Sequence, residues 1–158
     1  MNFIVSFLAS FLLFFQTNLE SIRTSYAKAN SSATNTQNFI TIAEKETDSD
    51  PVILGYKAAA QIMQAKITKQ NRKSLVKTGA TNLERLIKSN PNILELRVIR
   101  LSIQENLPKI VGYRGNLKED KNFIFNNYAQ QNTSLKNYIK QFVMQSKTIS
   151  ASEKATLK

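Results

Sequence analysis

Two arginines and a glutamine stand at helical spacing in the stretch NPNILELRVIRLSIQ. At 100° per residue, Arg97, Arg100 and Gln104 fall on one face of a helix. Guanidinium groups on such a face bind carboxylates or phosphates through paired hydrogen bonds. The alternative is structural: the arginines neutralise buried carboxylates, for which Glu95 and Asp120 are candidates.

A similar polar stripe, Lys57, Gln61 and Gln64, lies in residues 50–64. Laid over residues 90–104 at an offset of 40, this segment aligns proline with proline and Lys57 with an arginine. A period of 20–50 residues is typical of α-helical repeat arrays, although two apolar helices can also match by chance. If the units stack, the sequence predicts one shared groove, lined by Lys57, Gln61, Arg97, Arg100 and Gln104.

A basic run, KITKQNRKSLVK, occupies residues 66–77 and contains no acidic residue. It favours either contact with an anionic lipid or polymer or a solvated loop without a specific partner. No aromatic residue interrupts the run as a base-stacking platform requires, and we therefore expect no nucleic-acid binding. The residues predicted to contact an anion are Lys66, Lys69, Arg72, Lys73 and Lys77.

Catalytic signatures are weak in this sequence. Histidine and cysteine are absent, which removes the common general base, nucleophilic thiol and zinc ligands. Two acidic pairs, Asp48/Asp50 and Glu119/Asp120, could in principle support acid–base chemistry. Both pairs fall at predicted helix starts, where negative charge is stabilised by the helix dipole. We expect a protein that is not an enzyme and that has no metal or cofactor.

The net charge of +11 is unevenly distributed along the 158 residues. Residues 18–50 hold three basic and five acidic side chains, whereas residues 51–158 hold nineteen basic and six acidic ones. The C-terminal two-thirds therefore carries the positive excess, which favours anionic partners or simply solubility. The length is that of one domain.

The apolar composition of the N-terminal segment predicts that the protein is exported. An apolar run from Phe3 to Phe15 is interrupted only by Ser6 and Ser10. As a helix it spans about 20 Å, short of a hydrocarbon core of ~30 Å, and it fits a secretory signal peptide better than a membrane span. No basic residue precedes the run, and the small residues at 25–29 would place the cut inside a predicted helix. We predict a signal peptide over residues 1–17, its cleavage site left open, and no membrane span after processing.

Helical periodicity recurs through residues 18–158, which we interpret as one domain. Residues 90–104 resolve into two apolar stripes, one of Leu94, Val98 and Leu101 and one of Leu96, Ile99 and Ile103. This pattern predicts a helix with neighbours on two sides. Four further helices are predicted over residues 18–29, Gln37–Lys45, Val52–Ile67 and Gly79–Asn90, and the third of these starts at Pro51. Two more are predicted to begin after caps at Asn116 and Thr133, and a short one after the capping box Ser150–Glu153.

Two resemblances follow from these segments. Gly79, Leu83, Leu86 and Pro91 have the spacing of the second helix of a tetratricopeptide repeat, although the period is nearer 40 than 34 and the first-helix signature is missing. LESIRTSYAKANSS, DPVILGYKAAA, NPNILELRVIRLSIQENLP and EDKNFI together resemble a family of small exported helical proteins of Bacteroidota. That resemblance implies a fold and a location, and no chemistry.

The expectation is an all-α, tetratricopeptide-like array of antiparallel hairpins with about seven or eight helices. The expected function is a non-enzymatic scaffold in the periplasm or cell envelope that binds a protein or peptide. The alternative is peripheral association with an anionic envelope surface or polymer through the basic residues of 51–158.

Overall fold

The computed structural model describes residues 19–157, and these residues form α-helices and two short 3-10 turns without a strand. The predicted all-α class is confirmed, and the described helices number eight. They are α1 (residues 19–28), α2 (Ala33–Lys45), α3 (Pro51–Ile67), α4 (Arg72–Ser89), α5 (Leu94–Asn106), α6 (Leu117–Asn127), α7 (Thr133–Gln145) and α8 (Ala151–Ala155).

Helix α3 lies at the centre of the first half and packs against α2, α4 and α5. It begins where predicted: Asp50 caps the helix by accepting from the Val52 amide at 2.8 Å, and Pro51 occupies the first turn. The approach of α4 requires a glycine. A Cβ at Gly79 would lie 2.6 Å from Cγ1 of Ile62 and 2.7 Å from the carbonyl oxygen of Ala58.

Helix α5 separates two apolar clusters, as its two stripes predict. Leu96, Ile99 and Ile103 belong to the cluster formed with α1 to α4. The opposite stripe belongs to the cluster formed with α6, α7 and the C-terminal segment. Because both faces are occupied, α5 is buried almost all round, and every polar group on it needs a partner inside the protein.

Helix α1 is an integral part of the core. Ile22 and Ala29 are fully buried, and the Tyr26 ring lies 4.9 Å from Phe39 and 5.3 Å from Tyr56. These edge-on and tilted contacts tie α1 to α2 and α3. The predicted signal peptide, residues 1–17, lies outside the described residues.

Several predicted boundaries are wrong. Helix α4 begins at Arg72 rather than near Gly79, so the second half of the basic run is helical. Arginine, lysine and leucine have high helix propensity, and an exposed first turn shows no apolar periodicity to reveal it. Likewise α2 begins at Ala33, capped by Ser32, within a stretch that reads as a polar connector.

The predicted caps have mixed outcomes. The capping box of Ser150 and Glu153 is confirmed. Asn132, not Thr133, caps α7 by accepting from the Leu135 amide at 2.9 Å. Asn116 stands at the N-terminus of α6, but its side chain makes no cap hydrogen bond because it is engaged elsewhere.

The two aligned prolines have different roles. Pro51 lies in the first turn of α3, whereas Pro91 lies in a turn that precedes the start of α5 at Leu94. The similarity between the two segments is therefore greater in sequence than in helix geometry. Among residues 19–157, no helix is both long and apolar enough to cross a membrane.

Candidate functional site

The arginines of α5 face carboxylates, not an open groove. Arg100 donates from Nε and Nη2 to the two carboxylate oxygens of Asp120 at 2.7 and 2.6 Å, and from Nη1 to Glu84 at 2.6 Å. Asp120 is fully buried and Arg100 nearly so. This bidentate pair joins α5 to α6, and Glu84 adds α4.

Arg97 completes the same network from its outer edge. Its Nη1 lies 2.6 Å from Glu119 and 3.2 Å from Asp120, and its guanidinium lies 5.0 Å from the centre of the Phe123 ring. Its Nε is buried and, within residues 19–157, has no hydrogen-bond partner. Arg97 is thus held less completely than Arg100.

Burial lowers the pKa of Arg100, but the hydrogen bonds and charges of Asp120 and Glu84 outweigh burial and leave the pKa raised. For Asp120, burial raises the pKa, and the two arginines offset this effect only in part. The two short parallel hydrogen bonds are those of an ionised carboxylate, so we treat the pair as charged.

A second buried pair has the same form. Arg23 of α1 donates to both oxygens of Glu95 on α5, at 2.8 and 2.6 Å, and Tyr56 donates to Glu95 at 2.7 Å. Arg23 and Glu95 are both buried. The charged residues of α5 therefore form internal ion pairs on both sides of the helix.

The predicted groove is not assembled. Lys57 and Gln61 line a small depression with Asn82 and Arg85 of α4, whereas the α5 arginines face α6. Gln104 is fully buried; its side chain donates to Asn116 at 3.1 Å and accepts from the Asn116 amide at 3.0 Å. Residues that align between segments 50–64 and 90–104 are not neighbours in space, because α3 and α5 contact each other through their apolar faces and their polar stripes face different helices.

The basic run is divided between two surfaces. Arg72, Lys73 and Lys77 line a shallow depression at the start of α4, where Arg72 Nε also donates to the Thr68 carbonyl at 2.6 Å. Lys69 is exposed in the preceding loop. Lys66, at the end of α3, belongs to a different surface.

That surface is a cleft of about 470 Å³ bounded by the ends of α1, α3 and α5 and by α7 with the segment after it. Its floor is buried and polar, and it comprises Tyr26, Ser102, Glu105 and Tyr138. Its rim carries amides, lysines and a partly buried ring: Asn30, Lys66, Asn106, Gln141, Phe142, Gln145 and Lys147. We call it the polar cleft.

Two lysines from different elements meet at the rim of the polar cleft. Lys66 donates to the side-chain oxygen of Asn30, and Lys147 donates to that of Asn106 at 2.7 Å. Among residues 19–157, neither ammonium forms an ion pair with a carboxylate. Although the Lys66 side chain is exposed, desolvation of its ammonium group beside the cleft, followed by the positive charge of Lys147, lowers its pKa.

Glu105 is held rigidly in the floor. Its Oε2 accepts from the Ser146 hydroxyl at 2.7 Å and from the Lys147 and Thr148 amides at 3.1 and 3.2 Å. No donor in the described part of the chain reaches Oε1. Burial raises the pKa of the Tyr26 and Tyr138 phenols, which therefore remain neutral. The cleft thus offers cations at its rim and an acceptor in its floor.

The sequence alone identifies only Lys66 among these groups, and it places Lys66 with the wrong neighbours. The remaining residues come from helix ends and a loop that share no motif or period. Comparison with known protein families, with curated proteins and with solved structures finds no match to this chain.

Proposed function

We propose that this protein is a non-enzymatic, exported scaffold of the cell envelope, built as a tetratricopeptide-like helical array, that binds a protein or peptide partner. Export rests on the apolar N-terminal run, and the non-enzymatic role on the lack of histidine and cysteine. The observation that carries the binding role is the polar cleft, which replaces the groove predicted along α5.

Its size and chemistry suit a short peptide segment. A volume of about 470 Å³ lies within the range of binding pockets for small ligands. Four side-chain amides line it: Asn30 and Asn106 are engaged by Lys66 and Lys147, whereas Gln141 and Gln145 can each donate to and accept from a peptide main chain. Phe142 and the two tyrosines provide apolar surface beside them.

Site-specific photo-crosslinking in the native host tests the proposal. A photoreactive side chain at Gln145 is on the cleft rim, and one at Lys140, exposed on the same helix, is the matched control. We expect a discrete peptide or protein adduct from Gln145 that Lys140 does not give. Identical adducts from both positions, or none from Gln145, would contradict binding in the cleft.

The second candidate is peripheral association with an anionic surface or polymer. The depression of Arg72, Lys73 and Lys77 supports it, since within residues 19–157 none of these three forms an ion pair. Such contact must weaken steadily as salt rises, because exposed charges are screened.

Sedimentation with anionic vesicles across a salt series tests this candidate. Changing Arg72, Lys73 and Lys77 to glutamine should abolish it, whereas changing Lys118, Lys136 and Lys140 removes the same charge elsewhere. Equal losses from both triple variants would indicate general charge attraction and contradict a defined surface.

A further inference from the structure

We infer that the polar cleft recognises the free C-terminal carboxylate of a peptide, with Lys66 and Lys147 binding the carboxylate and Glu105 accepting from the peptide N–H groups. This inference rests on the proposed function, because it specifies what the same cleft binds.

The first argument is the contrast between the buried arginines of this protein and the two exposed lysines at the rim of the cleft. Arg23 and Arg100 each face a carboxylate through two hydrogen bonds of 2.6 to 2.8 Å. Lys66 and Lys147 face neutral amide oxygens instead. Two like charges that converge without a counterion repel each other, and an anionic ligand between them would relieve that repulsion.

The second argument is Glu105, which excludes the simplest anions. A compact dianion in the cleft would be repelled by this buried carboxylate, whose position is fixed by three donors to Oε2. A peptide end avoids the conflict because it carries both an anion and N–H donors. Its carboxylate can lie at the rim while an N–H group reaches Oε1 of Glu105 in the floor.

The third argument is the neutral lining. The exposed amides of Gln141 and Gln145 line the cleft and can pair with main-chain groups of the preceding peptide residues. Phe142 is partly buried beside them and can pack against one peptide side chain. These groups favour an extended peptide end over a free inorganic anion.

The test uses two peptide pools and the purified protein. One pool contains N-acetylated tetrapeptides with free carboxylates, and the matched pool carries C-terminal carboxamides. After ultrafiltration, retained peptides are measured by mass spectrometry. We expect the acids to be retained at least roughly tenfold more strongly than the amides, since hydrogen bonds to charged groups are the stronger class.

Substitutions test whether Lys66 and Lys147 cause the preference for free carboxylates over carboxamides. Lys66→Met with Lys147→Met should remove the preference for acids, and Lys147→Met alone should reduce it. Lys136→Met with Lys140→Met removes the same charge from α7 outside the cleft and should leave the preference intact. A melting curve recorded for each variant shows that it is folded, and the single variant provides the test if the double variant is not.

Each other outcome overturns the inference. Equal retention of acids and amides would leave peptide binding in place and refute carboxylate recognition. Retention of neither pool would refute the inference, while crosslinking at Gln145 decides the proposed function separately. Displacement of the acids by inorganic phosphate, with loss of phosphate binding in the double lysine variant, would identify a free-anion site instead.

Discussion

The α5–α6 interface and the polar cleft both bring two cations together, and they treat those cations in opposite ways. At the interface, Arg97 and Arg100 surround the fully buried Asp120, with Glu84 and Glu119 adding further negative charge. At the cleft, two lysines meet over amide oxygens alone. The arginines are paired with carboxylates inside the protein, whereas the two exposed lysines have no carboxylate partner within residues 19–157 and leave room for an anion from outside.

This difference distinguishes arginines that stabilise the fold from lysines that are available to bind a ligand. Removal of one member of a buried ion pair leaves an uncompensated charge, so the arginines are needed for the folded state. Removal of a cation that lacks a counterion leaves nothing unpaired. Basic side chains that look equivalent in sequence are therefore expected to differ sharply when each is neutralised.

The largest effect is expected for Arg100→Gln. The change strands Asp120 in the core, with Arg97 as its only remaining cation within 4 Å in the described part of the chain. We expect the free energy of unfolding to fall by about 3–5 kcal/mol, measured by chemical denaturation.

The matched control is Arg100→Met combined with Asp120→Leu, which replaces the pair by apolar side chains and should be less destabilised than Arg100→Gln. A single variant that unfolds like the wild type would show that the network is not structural.

Arg97→Gln should have a smaller effect. Arg97 contacts the more exposed Glu119, and its buried Nε lacks a partner, so substitution also relieves an existing penalty. We expect a loss of about 1 kcal/mol in the same assay. A loss as large as that of Arg100→Gln would mean that both arginines hold Asp120 equally.

The partly exposed pair of Lys121 and Glu153 provides a comparison for the effect of burial. Its 2.6 Å separation equals that of Arg100 and Asp120, but both of its side chains are partly exposed. The hydrogen bond from Lys121, followed by those from Ser150, lowers the pKa of Glu153 to about 2. A carboxyl with a lowered pKa stabilises the fold above its usual pKa and loses that contribution as the pH falls through about 2.

An NMR titration of the Glu153 carboxyl should therefore have its midpoint near pH 2, and Lys121→Met should move it upward. A midpoint at the ordinary value for glutamate would show that the capping box and the lysine do not hold this side chain in solution.

The pattern of α5 shows how much of the fold could be predicted. Its two apolar stripes specify contacts on both sides, because burial is recorded directly in helical periodicity. The start of α4 could not be predicted in this way, since Arg72 and Lys73 lie on an exposed turn where periodicity carries no signal. Asn116 shows a further limit, because its engagement with Gln104 depends on tertiary contacts.

The site was less predictable than the fold. The sequence identifies Arg97 and Arg100 as charge-binding residues, but it leaves open whether their partners lie inside the protein. The polar cleft depends on the meeting of Asn30, Lys66 and Lys147, which are distant in sequence. Each alone resembles an ordinary surface residue, so only the packing of helix ends reveals the cluster.

The most direct test of this account is the free energy of unfolding of the Lys66→Met, Lys147→Met double variant in the absence of ligand. If the two cations serve binding, the variant should match the wild type within about 0.5 kcal/mol or exceed it, because a repulsion is removed. A loss of about 3 kcal/mol or more, comparable to Arg100→Gln, would show that these lysines also hold the fold together and would contradict the distinction between the two regions.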